Sequence, residues 1–188
     1  MRLAHFIREN ADAITEEWEK FAGTLNPDSD DKSPRALRNH IKYILAFITD
    51  DLQTPQSSSE QIEKSHGKKA KAPEHSPAET HAAIRLAGGF DMDQMVSEYR
   101  ALRASVIKLW GARLAEPTLI DFSDLIRFNE AVDQELTESI NHYTKKTTES
   151  KDLFLGILSH DLRNPLGSIT MSAALTLKIG ALQIDRLC

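Results

Sequence analysis

Apolar residues recur three and four positions apart along almost the whole chain, and this spacing restricts the possible folds more than any other feature. It matches the period of an α-helix and places each apolar set on one helix face. The first set runs from Leu3 to Leu25, and the second runs from Leu37 to Leu52. The 188 residues include only eight glycines and seven prolines, which leaves few positions for the tight turns of a sheet protein. The sequence therefore predicts an all-α fold.

Residues that favour helix ends divide this pattern into separate helices. Hydroxyl and carboxylate side chains cap helix starts, whereas glycine and proline commonly follow helix ends. The predicted starts lie at Ser33-Pro34, at Ser76-Pro77-Ala78-Glu79 and at Asp91 with Gln94. The predicted ends lie at Asn26-Pro27-Asp28, at Gly88-Gly89 and at Glu116-Pro117.

Residues 53–75 interrupt the helical pattern. They contain no aromatic residue, and Ile62 is the only sizeable apolar side chain among them. Such a segment buries too little apolar surface to offset the entropy lost on ordering. We therefore predict a mobile loop inside the domain, whose basic run at 68–71 is more consistent with a solvated segment than with a contact for an acidic partner.

A further apolar pattern starts at Leu119 and continues with the same spacing to Ile157, with no proline and no glycine before Gly156. A helix of this length extends beyond a single globular domain, so we expect it to pair in parallel with a second copy of the chain. Polar residues at the predicted seam, which coiled coils use to fix register, are Asn129, Asp133, Thr147 and Ser150. Two shorter helices separated near residues 144–148 are the alternative, because threonine is a mediocre helix former.

Charge and composition exclude several classes of function. The net charge of −5 argues against nucleic-acid binding, which usually needs a basic surface. No stretch of about 18 apolar residues occurs, so we expect no contact with a membrane interior. The single cysteine, Cys188, allows no internal disulfide and is typical of a reducing compartment. We therefore expect a cytoplasmic protein.

Most of the histidines offer no metal or cofactor site. Six of them, with no pair four residues apart and no partnering cysteine, are His5, His40, His66, His75, His81 and His142. Zinc sites need such clusters, so we predict no metal. Gly88-Gly89 lacks a preceding strand and a following Lys-Ser/Thr, so it does not predict a nucleotide loop. A single haem ligand, His81 or His40, is left open.

The seventh histidine, His160, stands in a distinctive motif. Phe154 is followed, after four residues, by Ser159-His160-Asp161-Leu162-Arg163-Asn164-Pro165-Leu166. This run resembles the H-box of sensor histidine kinases at every position of that pattern. An imidazole is a competent nitrogen nucleophile at pH 7, because its ordinary pKa is about 6.5. The proline is expected to bend the helix just past the histidine.

The resemblance implies a role for three residues of the motif. His160 is the phosphoacceptor, and Asp161 is the general base that takes or orients the imidazole proton. Asn164 lies one helical turn further on, where the family uses a polar residue to position water when the partner is dephosphorylated.

The preceding region is similar to the N-terminal sensory domain of RsbR-type stress-response regulators. The segments that carry this similarity are His81-Ala82-Ala83-Ile84-Arg85, Gly89-Phe90, Val96-Ser97-Glu98-Tyr99-Arg100-Ala101-Leu102-Arg103 and Phe128-Asn129-Glu130-Ala131-Val132-Asp133-Gln134. The resemblance implies an all-helical, globin-like dimer that usually lacks haem. We therefore expect a sensory domain over residues 1–145, and over residues 146–188 the first helix of a dimerisation and phosphoacceptor hairpin.

These resemblances imply the sensory and phosphoacceptor part of a two-component protein-histidine kinase. Its expected partners are a second copy, a response regulator and an ATP-binding domain that holds ATP and Mg²⁺. The chain has no Asp-x-Gly-x-Gly loop after His160, so we interpret it as truncated, in its preparation or by a change of reading frame, and expect no kinase activity from it alone. A non-enzymatic signalling scaffold and a ligand or haem sensor are the alternatives.

Overall fold

The computed structural model describes residues 1–25, 34–65 and 76–184. These ranges contain seven helices and no strand, so the predicted all-α fold is confirmed. The helices are α1 (Leu3–Glu9), α2 (Ala11–Leu25), α3 (Pro34–Gln53), α4 (Ser58–Ser65), α5 (Pro77–Ala87), α6 (Met92–Gly111) and α7 (Leu119–Ile184). None of the helices in the described ranges combines the length and the apolar character needed to cross a membrane.

Two compact units divide the chain, Met1–Thr144 and Lys145–Cys188. Helix α7 begins in the first unit and ends in the second. The first unit contains the hydrophobic core, and the second unit contains the His160 motif. We describe each unit by itself.

The core of the first unit is built mainly from apolar faces that the spacing predicts, together with one face of α7 that it does not predict. Helices α1, α2, α3, α6 and the first part of α7 all contribute to it. The largest buried apolar side chains include Trp18, Phe6, Phe128 and Tyr99. Each tryptophan ring also donates its N–H to a main-chain oxygen, Trp18 to Glu98 at 3.0 Å and Trp110 to Met1 at 3.3 Å. Both buried indoles are therefore satisfied.

The first predicted helix is in fact two helices that meet at Asn10. The Asn10 side chain donates to the Phe6 carbonyl at 2.8 Å, and the Asn10 N–H donates to the same oxygen at 3.0 Å. The backbone of Asn10 has a non-helical conformation, with φ −117° and ψ 19°, and asparagine suits such a position because its side chain bonds to nearby main-chain groups. The apolar stripe continues across the break, since Leu3, Ile7 and Ile14 are all buried.

The predicted starts of α5 and α6 are confirmed. Ser76 accepts a hydrogen bond from the Glu79 N–H, and Asp91 and Gln94 form a reciprocal capping box. Gly89, which follows α5, has a φ of 77°, a conformation that glycine adopts without steric cost. The caps predicted at Ser33 and at 26–28 lie outside the described residues.

Helix α6 ends at Gly111, earlier than the predicted end at Glu116-Pro117. Trp110 is the last fully buried residue of the helix, and residues 111–113 are exposed. Without burial to stabilise further turns, the poor helix propensity of glycine decides where the helix ends.

Helix α4 lies within the segment predicted to be a loop, so that prediction is wrong for residues 58–65. Ser57 and Glu60 cap the helix reciprocally, with the Glu60 carboxylate accepting the Ser57 N–H at 2.7 Å. The Lys64 ammonium forms an ion pair with Asp51 of α3, and both side chains are less than a tenth exposed. Polar contacts, rather than apolar burial, hold this helix, since Ile62 is exposed. Residues 66–75 of the predicted loop lie outside the described residues.

Helix α7 continues without interruption through residues 144–148, so the alternative of two shorter helices is wrong. Within the first unit it has two apolar faces. Phe128, Ala131 and Val132 pack into the core, whereas Leu119 is 88% exposed and Phe122 and Ile126 are more than half exposed. The exposed face is the one predicted to form the dimer seam. The buried face was not predicted from the sequence.

Candidate functional site

His160 lies on α7 in the second unit, in full contact with solvent. Its side chain is 75% exposed, and that of Asp161 is 69% exposed. The His160 Nδ1 lies 3.3 Å from an Asp161 carboxylate oxygen. When Nδ1 carries the ring proton and donates it to this carboxylate, Nε2 presents its lone pair to solvent. The contact therefore selects the tautomer in which Nε2 is a nucleophile.

Asn164 is exposed and lies one helical turn after His160, on the same face of α7. Its main-chain oxygen accepts a hydrogen bond from the Ser168 hydroxyl at 3.1 Å. Pro165 lies inside the helix, which continues past it to Ile184. Because proline has no N–H, the carbonyl of Asp161 loses its usual helical donor at this point.

The helix around His160 carries many exposed apolar side chains. They include Leu153, Phe154, Leu155, Ile157, Leu158, Leu162, Leu166 and Ile169, each more than 40% exposed. With about 100° of rotation per residue, Leu155, Leu158, Leu162 and Ile169 lie about 140–200° around the helix from His160. Covering this apolar face would therefore leave His160 open to solvent. The spacing that starts at Leu119 places Phe154 and Ile157 at the predicted seam, but it does not predict this second apolar face.

A second cluster of polar side chains is buried in the first unit, between α3, α5 and α6. The Arg85 guanidinium makes two hydrogen bonds to the Glu98 carboxylate, one of them 2.8 Å long between Nε and Oε2. His81 Nε2 lies 3.1 Å from the same oxygen, and all three side chains are at most 2% exposed. The Arg85 guanidinium also lies 4.2 Å from the centre of the Phe90 ring. These residues belong to the segments that resemble RsbR-type sensory domains, but the sequence did not predict that they contact one another.

His40 and Tyr99 extend this cluster. The His40 ring stacks on the His81 ring with centroids 5.4 Å apart, and its Nε2 contacts the Pro77 carbonyl at 2.8 Å. Burial, reinforced by the neighbouring His81, lowers the pKa of His40 to about 4. Burial also raises the pKa of Tyr99 well above its ordinary value. At neutral pH both side chains are therefore uncharged.

The surroundings of His40 and His81 do not fit a haem. The space beside His81, bounded by Ile41, Ile44, Tyr99 and Leu102, does not have room even for a water molecule. Small-molecule sites usually start at about 300 Å³. The Nε2 atom of His40 already contacts the Pro77 carbonyl, and that of His81 lies 3.1 Å from the Glu98 carboxylate. Across the described ranges, no three His, Cys, Asp or Glu side chains are arranged to hold a metal ion.

We expect the purified protein to bind no haem. Adding hemin at an equimolar concentration should give the spectrum of free hemin, because the packed rings leave too little space for a porphyrin. The measurement is the Soret band of the wild type beside those of His40→Ala and His81→Ala. A sharp band in the wild type that either substitution removes would contradict this expectation.

Comparisons of the chain with family models, with curated proteins and with solved structures find no match.

Proposed function

We propose that this chain is the sensory and phosphoacceptor part of a cytoplasmic two-component histidine kinase. His160 accepts a phosphoryl group from ATP and passes it to an aspartate of a response regulator. ATP and Mg²⁺ are held by an ATP-binding domain outside this chain. The first unit receives the signal, with the helical architecture of an RsbR-type sensory domain.

The observation that carries this proposal is the geometry of His160. The ring is exposed on a helix, its Nδ1 contacts Asp161, and its Nε2 is open to solvent. In-line phosphoryl transfer needs such an unobstructed nucleophile, because the γ-phosphate must approach along the axis of the breaking bond. The exposed His5 has a similar contact, with Glu9 at 3.1 Å, so this geometry supports phosphoryl transfer only together with the H-box-like motif around His160.

The chemistry follows from the same contact. Nε2 attacks the γ-phosphorus, a P–N bond forms, and ADP leaves with the bridging oxygen and its electron pair. The ring then holds a proton on Nδ1 and a phosphoryl group on Nε2, and so carries a positive charge. Asp161, next to Nδ1, stabilises this charge and takes the proton as general base. Asn164, on the same face, positions the water that removes phosphate from the response regulator.

We further propose that two copies of the chain pair through α7. The second unit exposes an apolar set too large for an isolated helix in water. Pairing would bury this set against the second copy and keep both His160 rings on the outer surface. A sedimentation experiment that finds a monomer at micromolar concentration would contradict the pairing.

A signalling scaffold without enzymatic activity is the second candidate. It is favoured by the exposed apolar face of the first unit at Leu119, Phe122 and Ile126, a surface suited to a partner protein. In that case α7 would transmit a change of packing, and His160 would never be phosphorylated.

The test is phosphorylation by an added ATP-binding domain. We expect labelled phosphate from ATP and Mg²⁺ to appear on the chain when the catalytic domain of a histidine kinase is present. The label should be lost in acid and kept in base, as for phosphate on a histidine nitrogen. The chain alone should stay unlabelled. Label that survives acid would contradict the proposal and favour the scaffold. A chain that stays unlabelled with several such domains would do the same.

A further inference from the structure

Helix α5 is held in the first unit mainly by polar groups. The side chains that it buries are two alanines, Ala78 and Ala82, together with His81 and Arg85. Two methyl groups contribute little apolar burial. The attachment of α5 therefore depends on polar contacts, which are those of His81 and Arg85 and the hydrogen bond that the Ser139 hydroxyl donates to the Ala78 carbonyl at 2.8 Å. Elements with little buried apolar surface are the ones that open locally.

Two histidines take part in the contact between α5 and α3. The His40 and His81 rings are nearly parallel, at 9°, and His40 Nε2 contacts the carbonyl of Pro77, the first residue of α5. This contact is a hydrogen bond that a neutral ring can donate. His81 is buried, and neither of its ring nitrogens has a hydrogen-bond partner among the described residues, although Nε2 lies 3.1 Å from a Glu98 carboxylate oxygen. Two stacked imidazolium rings would repel each other in this site.

The charged and titratable groups around the pair come from three helices. They are Arg85 on α5, Glu98 and Tyr99 on α6 and, against Tyr99, Glu135 and Glu138 on α7. Glu98 is the carboxylate that acts on His40, but its oxygens already contact Arg85 and His81. A proton on His40 would therefore add a buried charge that no group in contact with the ring neutralises.

We propose that the stacked His40–His81 pair is a pH-sensitive switch, which holds α5 against α3 while His40 is neutral and releases α5 when His40 takes up a proton. The inference concerns the first unit alone and does not depend on phosphorylation of His160. It assigns to this unit a response to acid.

The direction of the effect follows from linkage. The pKa of His40 is about 4 when α5 is closed and returns towards 6.5 when α5 opens. The open form therefore binds the proton more tightly, and opening becomes more favourable as the pH falls below 6.5. With these two values the opening equilibrium rises about 30-fold between pH 7.5 and pH 5. Below pH 4 it levels off, with a further rise of only about twofold.

Amide hydrogen exchange measures this opening directly. We expect the protection of the α5 amides, corrected for the intrinsic pH dependence of exchange, to fall about 30-fold between pH 7.5 and pH 5. The amides of α2 and α6, which lie in the core, should keep their protection. Loss of protection in all three helices together would mean acid unfolding of the whole unit and would overturn the proposal.

The control variant is His40→Gln, because glutamine keeps a donor for the Pro77 carbonyl but does not titrate. The 30-fold fall should shrink to less than about threefold in this variant, whereas His5→Gln, an exposed histidine, should behave as the wild type. An unchanged fall in His40→Gln would overturn the proposal. Ring NMR of the wild type gives a second measurement, and a His40 ring that titrates near 6.5 in the closed form would overturn it as well.

Discussion

Replacing His160 with glutamine is expected to remove all label that the chain acquires from ATP in the presence of a histidine kinase catalytic domain. Glutamine has no ring nitrogen to form the P–N bond, and the remaining chain contacts are unchanged. The matched control is His5→Gln, whose histidine is also well exposed, at 62% of its side chain. The measurement is acid-labile, base-stable phosphate on each variant.

The neighbouring Asp161 should give a graded result in the same assay. Asp161→Asn keeps a side-chain oxygen near Nδ1 but cannot take its proton, so the rate of labelling is expected to fall about 100-fold. Full labelling of His160→Gln would disprove the assignment of the phosphoacceptor. Full labelling of Asp161→Asn would disprove only the role of the base.

Replacing Glu98 with alanine is expected to lower the free energy of unfolding of the first unit by about 3–5 kcal/mol. The substitution leaves the Arg85 guanidinium buried without the carboxylate that accepts two of its hydrogen bonds. A loss of this size is a large part of the stability of an ordinary domain, about 5–15 kcal/mol. Urea unfolding followed by circular dichroism measures the change.

Two further variants test whether the buried Arg85 charge, rather than a general loss of packing, causes the destabilisation. Asp50→Ala breaks the exposed Arg8–Asp50 pair and should cost less than about 1 kcal/mol. The double variant Arg85→Met with Glu98→Leu replaces both charges by apolar groups and should be more stable than Glu98→Ala. A double variant as unstable as the single one would show that the buried charge is not the cause.

The sequence predicts the parts of the fold that depend on apolar burial. The core faces of α3 and α6 follow from spacing, because a helix must bury its apolar stripe. The break at Asn10 and the helix at 58–65 depend instead on polar contacts. The Asn10 side chain donates to the Phe6 carbonyl, and Lys64 pairs with Asp51 from another helix. Apolar spacing carries no information about such contacts.

The His160 motif and the buried polar cluster also differ in how far the sequence predicts them. The residues around His160 are contiguous, so a motif of eight positions identifies them without a structure. The exposed apolar face opposite His160 becomes visible only once α7 is known to be one helix. The buried cluster joins His40, Arg85 and Glu98, which are far apart in sequence and come from three helices. Nothing in their local sequence indicates that Arg85 and Glu98 meet.

The hydrogen bond from the Trp18 indole to the main-chain oxygen of Glu98 gives the first unit an intrinsic fluorophore at the edge of the buried cluster. The emission energy of an indole depends on the electric field along its ring, and Glu98 carries both this acceptor oxygen and the carboxylate that holds Arg85. The other tryptophan, Trp110, donates to Met1 and can be replaced by phenylalanine. A Trp110→Phe protein would then contain a single tryptophan, whose emission wavelength reports the charge state of the cluster without any attached dye.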